Sequence, residues 1–147
     1  MASSENRPLL LDVNALLALA WPNHQFHEAI LLRLERRPEP RWATCALTQL
    51  GFVRLSSNPN VVDVRKTPAE AVALLADLTR DQQHVYLKTL PALPDTASVF
   101  RQLFGHQQVT DAYLLGVAEA SGSTLLTFDR RMVPPRKTNA HVEVVIP

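Results

Sequence analysis

At 147 residues the chain is the size of one ordinary domain and long enough to bury a core. Hydrophobic residues make up 46% and charged residues 20%, which excludes a disordered or fibrous chain. The net charge of +1 excludes a generally basic nucleic-acid coat but leaves room for a local basic patch.

The single cysteine, Cys45, rules out an internal disulfide and any metal-binding cysteine pair, and it fits a reducing cytosol. The apolar run Leu9-Leu10-Leu11 is broken at once by Asp12 and lacks the basic flank and small-residue cleavage site of a signal peptide. No stretch reaches the roughly 18 apolar residues of a membrane span. The expectation is a soluble, cytoplasmic protein of one domain, residues 1–147.

In chain order, Pro8 to Leu11 reads as a short buried strand, followed by a helix over Val13 to Ala20 that Trp21-Pro22 ends. A second helix starts at Asn23 or His24 and runs through Arg36, with Phe26, Ile30 and Leu34 at spacing four. Pro38-Glu39-Pro40 is a loop, Trp42 to Cys45 a second strand, and Thr48 to Ser56 a helix ending in turn residues up to Asn60. Thr67, Pro68 and Glu70 form an N-cap, an N1 proline and a capping-box glutamate for a helix to about Thr79. His84 to Leu87 is a third strand. A helix over Thr96 to Phe104 stops at Gly105 as its C′ residue. Thr110 caps a helix from Asp111 to Ala120 that stops near Gly122. Thr124 to Phe128 and Val142 to Ile146 are the last strands, with Pro134-Pro135 barring regular structure between them.

Short apolar strands alternating with amphipathic helices predict a three-layer α/β/α sandwich around a mostly parallel sheet. In such sheets the active cleft lies beyond the carboxyl ends of the strands. Asp12 follows the first strand and Asp129 the fourth, and Asp111 opens the helix that feeds the fourth. Taken singly, each acid has an ordinary reading: a helix cap for Asp12, a first-turn acid facing the helix dipole for Asp111, a turn residue for Asp129. Taken together, three carboxylates at one sheet edge repel one another unless a cation lies between them. Oxygen-only ligands suit a hard cation such as Mg²⁺ or Mn²⁺.

Three segments carry a family resemblance. Leu9-Leu10-Leu11-Asp12-Val13-Asn14-Ala15-Leu16-Leu17 resembles the first motif of PIN domains, a strand ending in Asp, then x-Asn and an apolar helix. Val109-Thr110-Asp111-Ala112-Tyr113-Leu114 is similar to the family's later helix with its third acid, and Thr124-Leu125-Leu126-Thr127-Phe128-Asp129 to its closing strand, Thr-x-Asp. The order and spacing fit over nearly the whole chain, and within the family the chain resembles VapC-like toxins of type II toxin–antitoxin systems. One departure stands out: where the family places a glutamate in the helix after the second strand, this chain has Gln49. Glutamine keeps a carbonyl that can hold a metal or a water, but it removes a negative charge.

The resemblance implies metal-dependent hydrolysis of RNA phosphodiester bonds. Asp12, Asp111 and Asp129 would be the metal ligands, Gln49 an assisting catalytic residue, and Asn14 and Thr127 would orient ligands or water beside them. Arg130, Arg131, Arg136 and Lys137 bracket the Pro134-Pro135 loop and, with Arg54, are the cations available for RNA phosphates; the ordinary reading of each is a solvated surface charge. The family analogy also implies a homodimer and a cognate antitoxin whose tail occupies the cleft. Phe26, Ile30, Leu34 and Leu75 supply apolar faces for either core or dimer contact. A phosphoacceptor receiver wants a pair of acids after the first strand, and a haloacid-dehalogenase-type phosphatase wants an aspartate where this chain has Asn14. A weakened, non-catalytic PIN-like module binding RNA or protein stays open because of Gln49.

Overall fold

Three leucines set the centre of the molecule. In the computed structural model, which describes residues 6–101, 105–132 and 141–146, strand β1 (Leu9–Leu11) lies between β2 (Trp42–Cys45) and β4 (Thr124–Thr127) and is buried throughout. Beyond β2 lies β3 (His84–Leu87) and beyond β4 lies β5 (His141–Val144), so the five strands run in the order β3-β2-β1-β4-β5. Every pairing is parallel, and Leu9 faces both Trp42 and Thr124 across the sheet.

Because side chains alternate along a strand, the leucine run serves both faces of the sheet. Leu9 and Leu11 join Trp42 and Leu126 beneath four helices: α1 (Val13–Ala20), α2 (His27–Glu35), α3 (Ala46–Ser56) and α4 (Pro68–Leu78). Leu10 joins Ala43, Cys45 and Leu125 beneath α5 (Val109–Ser121), with Val99 from a 3₁₀ segment, Leu93–Phe100. The result is the expected three-layer sandwich, and Ile30 and Leu75 lie in its core with Phe26 and Leu34 packed against it. Among the described residues no helix is long and apolar enough to cross a membrane.

Several element boundaries differ from the sequence reading, each for a local reason. Residues 21–26 form successive turns, and the Phe26 amide donates to His24 Nδ1, so the second helix begins at His27 instead of Asn23 or His24. Helix α3 begins at Ala46: Thr48 is its third residue, reaching back to accept the Cys45 amide and donate to the Cys45 carbonyl. The helix expected over Thr96 to Phe104 is instead 3₁₀ up to Phe100, with Thr96 off helical geometry and its hydroxyl donating to the Leu93 carbonyl; its last three residues lie outside the described set. Gly105 is extended and precedes a single 3₁₀ turn, so it does not serve as a C′ residue. Thr110 sits inside α5, one residue past its start, and the N-cap position is Gln108 instead. Gly122 does stop α5, in the left-handed conformation at φ +67°.

Gly116 is where α5 lies against the 3₁₀ segment. A Cβ there would stand 2.6 Å from Thr96 Cγ2 and 2.8 Å from Thr96 Cβ, which side-chain rotation cannot move away. We therefore expect Gly116→Ala to lower stability by up to about 2 kcal/mol: overpacking costs about 1–3, and the helix-propensity gain of alanine returns about 1. Urea unfolding checks this, and a raised midpoint would contradict the packing account.

Candidate active site

The chain steps outward from β1 to β2 to β3, then returns to place β4 on the other side of β1. The β1–β4 junction is therefore the topological switch point, where the following connections diverge and leave a crevice at the carboxyl edge. Asp12 leaves β1 at this edge, Asp129 stands two residues beyond β4, and Asp111 lies in the first turn of α5. All three line one pocket of about 380 Å³, together with Asn14 and Thr127. Phe26, Leu55 and Phe128 form its apolar wall.

Asp12 is only 7% exposed. It caps α1, its Oδ1 accepting the Ala15 amide at 2.7 Å, so the ordinary capping role and the site role fall on one side chain. Burial pushes its pKa up to about 6; the charges of Asp111 and Asp129 add to the rise, against hydrogen bonds from Thr127 and Ala15. Asp111 is also raised, by burial first and then by Asp129. Asp129 is lowered, chiefly by its hydrogen bonds from Arg131. That guanidinium grips both carboxylate oxygens, Nε to Oδ1 and Nη2 to Oδ2 at 3.0 Å each, and the Arg131 amide adds a third bond at 2.9 Å. Thr127 joins the two strand-end acids: its hydroxyl bonds Asp12 and accepts the Asp129 amide at 3.0 Å.

The other predicted residues fall in different places. Asn14 is at the pocket, its Oδ1 paired with His24 Nε2 at 3.0 Å. Gln49 is not among the residues lining the pocket. Its Nε2 donates to Thr44 Oγ1 at 3.0 Å, and Thr44 in turn meets His84 Nε2 at 2.8 Å, so the amide is tied to β2 and β3 through its nitrogen. Arg54 and Arg130 are exposed, Arg131 is engaged by Asp129, and Arg136 and Lys137 lie outside the described residues. Sequence reasoning missed the aromatic wall. Phe26 and Phe128 pack at 4.5 Å between ring centroids and His24 lies against both, a grouping of residues about 100 apart in sequence that no periodicity signals.

The donor set suits a hard divalent cation, being oxygen-only, with two acids whose charge is held back by burial and mutual repulsion. Among the described residues no three acids, imidazoles or thiols form a ready-made cage, and both oxygens of Asp129 are already held by Arg131.

The raised Asp12 sets a pH dependence. Its folded pKa, about 6, lies above the ordinary 3.8, so between those values the folded state holds the extra proton. Its contribution to stability is full below about pH 4 and lost as pH rises through 6, on the order of 3 kcal/mol at most. Asn caps a helix as well as Asp does and carries no charge. In chelator at pH 7.5, Asp12→Asn should therefore be more stable than the native chain by about 1–3 kcal/mol, the two converging near pH 4. Denaturant unfolding at both pH values checks it; a less stable variant at pH 7.5 would overturn the assignment.

Comparison with known proteins agrees with this architecture. The family model described as PIN domain matches residues 9–135, from β1 past Asp129. Ribonuclease VapC39 of Mycobacterium tuberculosis is 40% identical over 121 residues, 82% of this chain and 87% of that protein. Ribonuclease VapC38 of the same organism is 42% identical over 120 residues, covering 82% and 84%. Ribonuclease VapC44 is 37% identical over 137 residues, covering 90% and 96%. With the family model over most of its length and relatives at this identity, the chain belongs to the PIN-domain family, among its VapC-like members.

Proposed function

We propose that the protein is an endoribonuclease that hydrolyses RNA phosphodiester bonds with Mg²⁺ or Mn²⁺, and that it acts as the toxin of a toxin–antitoxin pair. The observation that carries the reading is the convergence of Asp12, Asp111 and Asp129 on one pocket at the sheet's switch point. The relatives' names, Ribonuclease VapC, support the same activity. A cognate antitoxin covering the cleft, a homodimeric assembly and a cytoplasmic site of action belong to this reading.

Asp12, Asp111 and Asp129 would hold the cation. When bound, such an ion neutralises charge developing on the phosphate and makes a water acidic enough to attack at neutral pH. The chain's residues do the rest. Thr127 fixes Asp12 relative to Asp129. Asn14, its Oδ1 tied to His24, keeps Nδ2 to donate to a phosphate oxygen or a water. Gln49, its Nε2 held by Thr44, would assist by holding a water through Oε1. Arg54, Arg130, Arg131, Arg136 and Lys137 supply phosphate contacts, Arg131 doing so once it leaves Asp129.

The direct test is cleavage of a mixed pool of structured RNAs with Mg²⁺, with Mn²⁺ and with chelator. Cutting should require metal, vanish in Asp12→Ala, and rise in Gln49→Glu through tighter metal binding; absence of cutting by both the native and Gln49→Glu chains would turn the reading toward a binding module. The Arg131 grip has its own consequence. Arg131→Gln should bind Mn²⁺ about two- to fivefold more tightly by titration calorimetry, because the ion no longer displaces a guanidinium worth what an exposed pair is worth. An unchanged Mn²⁺ affinity would show that the grip is no obstacle.

A further inference from the structure

A second pocket, of about 220 Å³, opens beside the acidic one and shares Asn14 with it. Trp21, His24 and Val61 are among its walls, and Asn14, Asn23 and Asp63 give it polar edges. It is smaller than the roughly 300–1,000 Å³ of sites for drug-sized ligands, which suits a fragment as small as one planar ring system. The walls are fixed in place. Trp21 Nε1 donates to Ser56 Oγ at 3.1 Å, and the His24 ring stacks on Phe128 of the acidic pocket at 6.4 Å and 27°.

His24 Nδ1 accepts the Phe26 amide, so its proton is on Nε2 and donates to Asn14 Oδ1, leaving Asn14 Nδ2 as a donor. Asn23 Nδ2 donates to Asp63 Oδ2 at 3.2 Å, which leaves Asn23 Oδ1 and Asp63 Oδ1 as acceptors among the described residues. The residues that line this partly aromatic slot thus carry one donor and two acceptors, one of them charged. Asp63 lines the slot and repels a phosphate, whereas Lys66, its Nζ over the Trp21 ring at 5.6 Å from the centroid, is not among the lining residues, so the slot suits a base and not the backbone. Aromatic and imidazole faces are what unstacked RNA bases use as platforms. Among the four bases, only guanine presents more donors than acceptors on its pairing edge, with adjacent ring N–H and exocyclic N–H₂ beside O6.

We infer that this pocket is a guanine subsite, holding the base of a nucleotide next to the phosphate that is cut. The inference rests on the ribonuclease reading for its purpose, but its binding test does not need cleavage. The full chain, ¹⁵N-labelled and free of metal, is titrated with 5′-GMP, AMP, CMP and UMP while the two tryptophan indole N–H signals are followed by NMR. Trp42 is 2% exposed and away from the pocket, so it serves as the internal control. The expected result is a saturable shift of the Trp21 signal with GMP, about tenfold tighter than with the other three, in line with one good bidentate contact. Val61, 49% exposed, tolerates substitution; Val61→Arg should fill the slot and abolish the shift, and Asp63→Asn should bring GMP to within about twofold of AMP.

Equal affinity for all four nucleotides, no saturable shift, or GMP binding unaffected by both variants would overturn the subsite. The same three proteins are then given RNA and Mg²⁺. Cleavage by the native chain with unchanged cut sites in Asp63→Asn sinks the guanine subsite and spares the ribonuclease. No cleavage by the native chain or its Gln49→Glu variant, with selective GMP binding intact, sinks the ribonuclease reading and spares the base site.

Discussion

Everything at the site hangs on the parallel pairing of β1 with β4. Leu9 to Leu11 are buried on both faces, so this strand must lie at the middle of the sheet, and its neighbour on one side comes from the far end of the chain. That neighbour brings Thr127 and Asp129 to the edge where Asp12 emerges, over a hundred residues away in sequence. The backbone bond from the Asp12 amide to the Leu126 carbonyl, at 3.1 Å, carries the pairing right up to the edge where the acids stand. The acids are thereby held by the most deeply buried part of the fold, and precision of that kind is more readily kept on strands than on loops.

The electrostatics of the site run against the fold that makes them. Asp12 is useful to a cation only when charged, yet its burial favours the neutral form. Arg131 answers part of this by gripping Asp129, which keeps one acid ionised while two others are held back. The site is thus graded: one carboxylate already paired, one half-buried, one deeply buried and tied to Thr127. Such gradation is a common mark of places where chemistry outweighs stability.

The sequence was informative where one short stretch determines the structure. The leucine run followed by Asp12, the Thr67-Pro68-Glu70 start of α4 and the Gly122 stop of α5 are local signals, and each lies where its chemistry predicts. The placement of Asp12, Asp111 and Asp129 was legible too, because strand ends and helix starts in a parallel sheet share an edge. Sequence reasoning went astray where a side chain overrules the backbone pattern: His24 holding residues 21–26 in turns, Thr48 capping from inside its own helix, Thr96 turning an expected helix into 3₁₀. It had no access to the Asp129–Arg131 grip, which depends on turn geometry. Nor did it see the Trp21, His24 and Asp63 grouping, which joins a turn after α1 to the loop before α4.

The two outer strands have a further consequence. Each is only four residues long, and β5 carries Glu143, which is tied to Arg33 of α2. Short borders with a charged residue anchored to a neighbouring helix are poor templates for an added strand from another molecule. The β5 border is thereby a poor place for edge-to-edge growth, and the all-leucine β1, the chain's most adhesive strand, stays sealed inside the sheet.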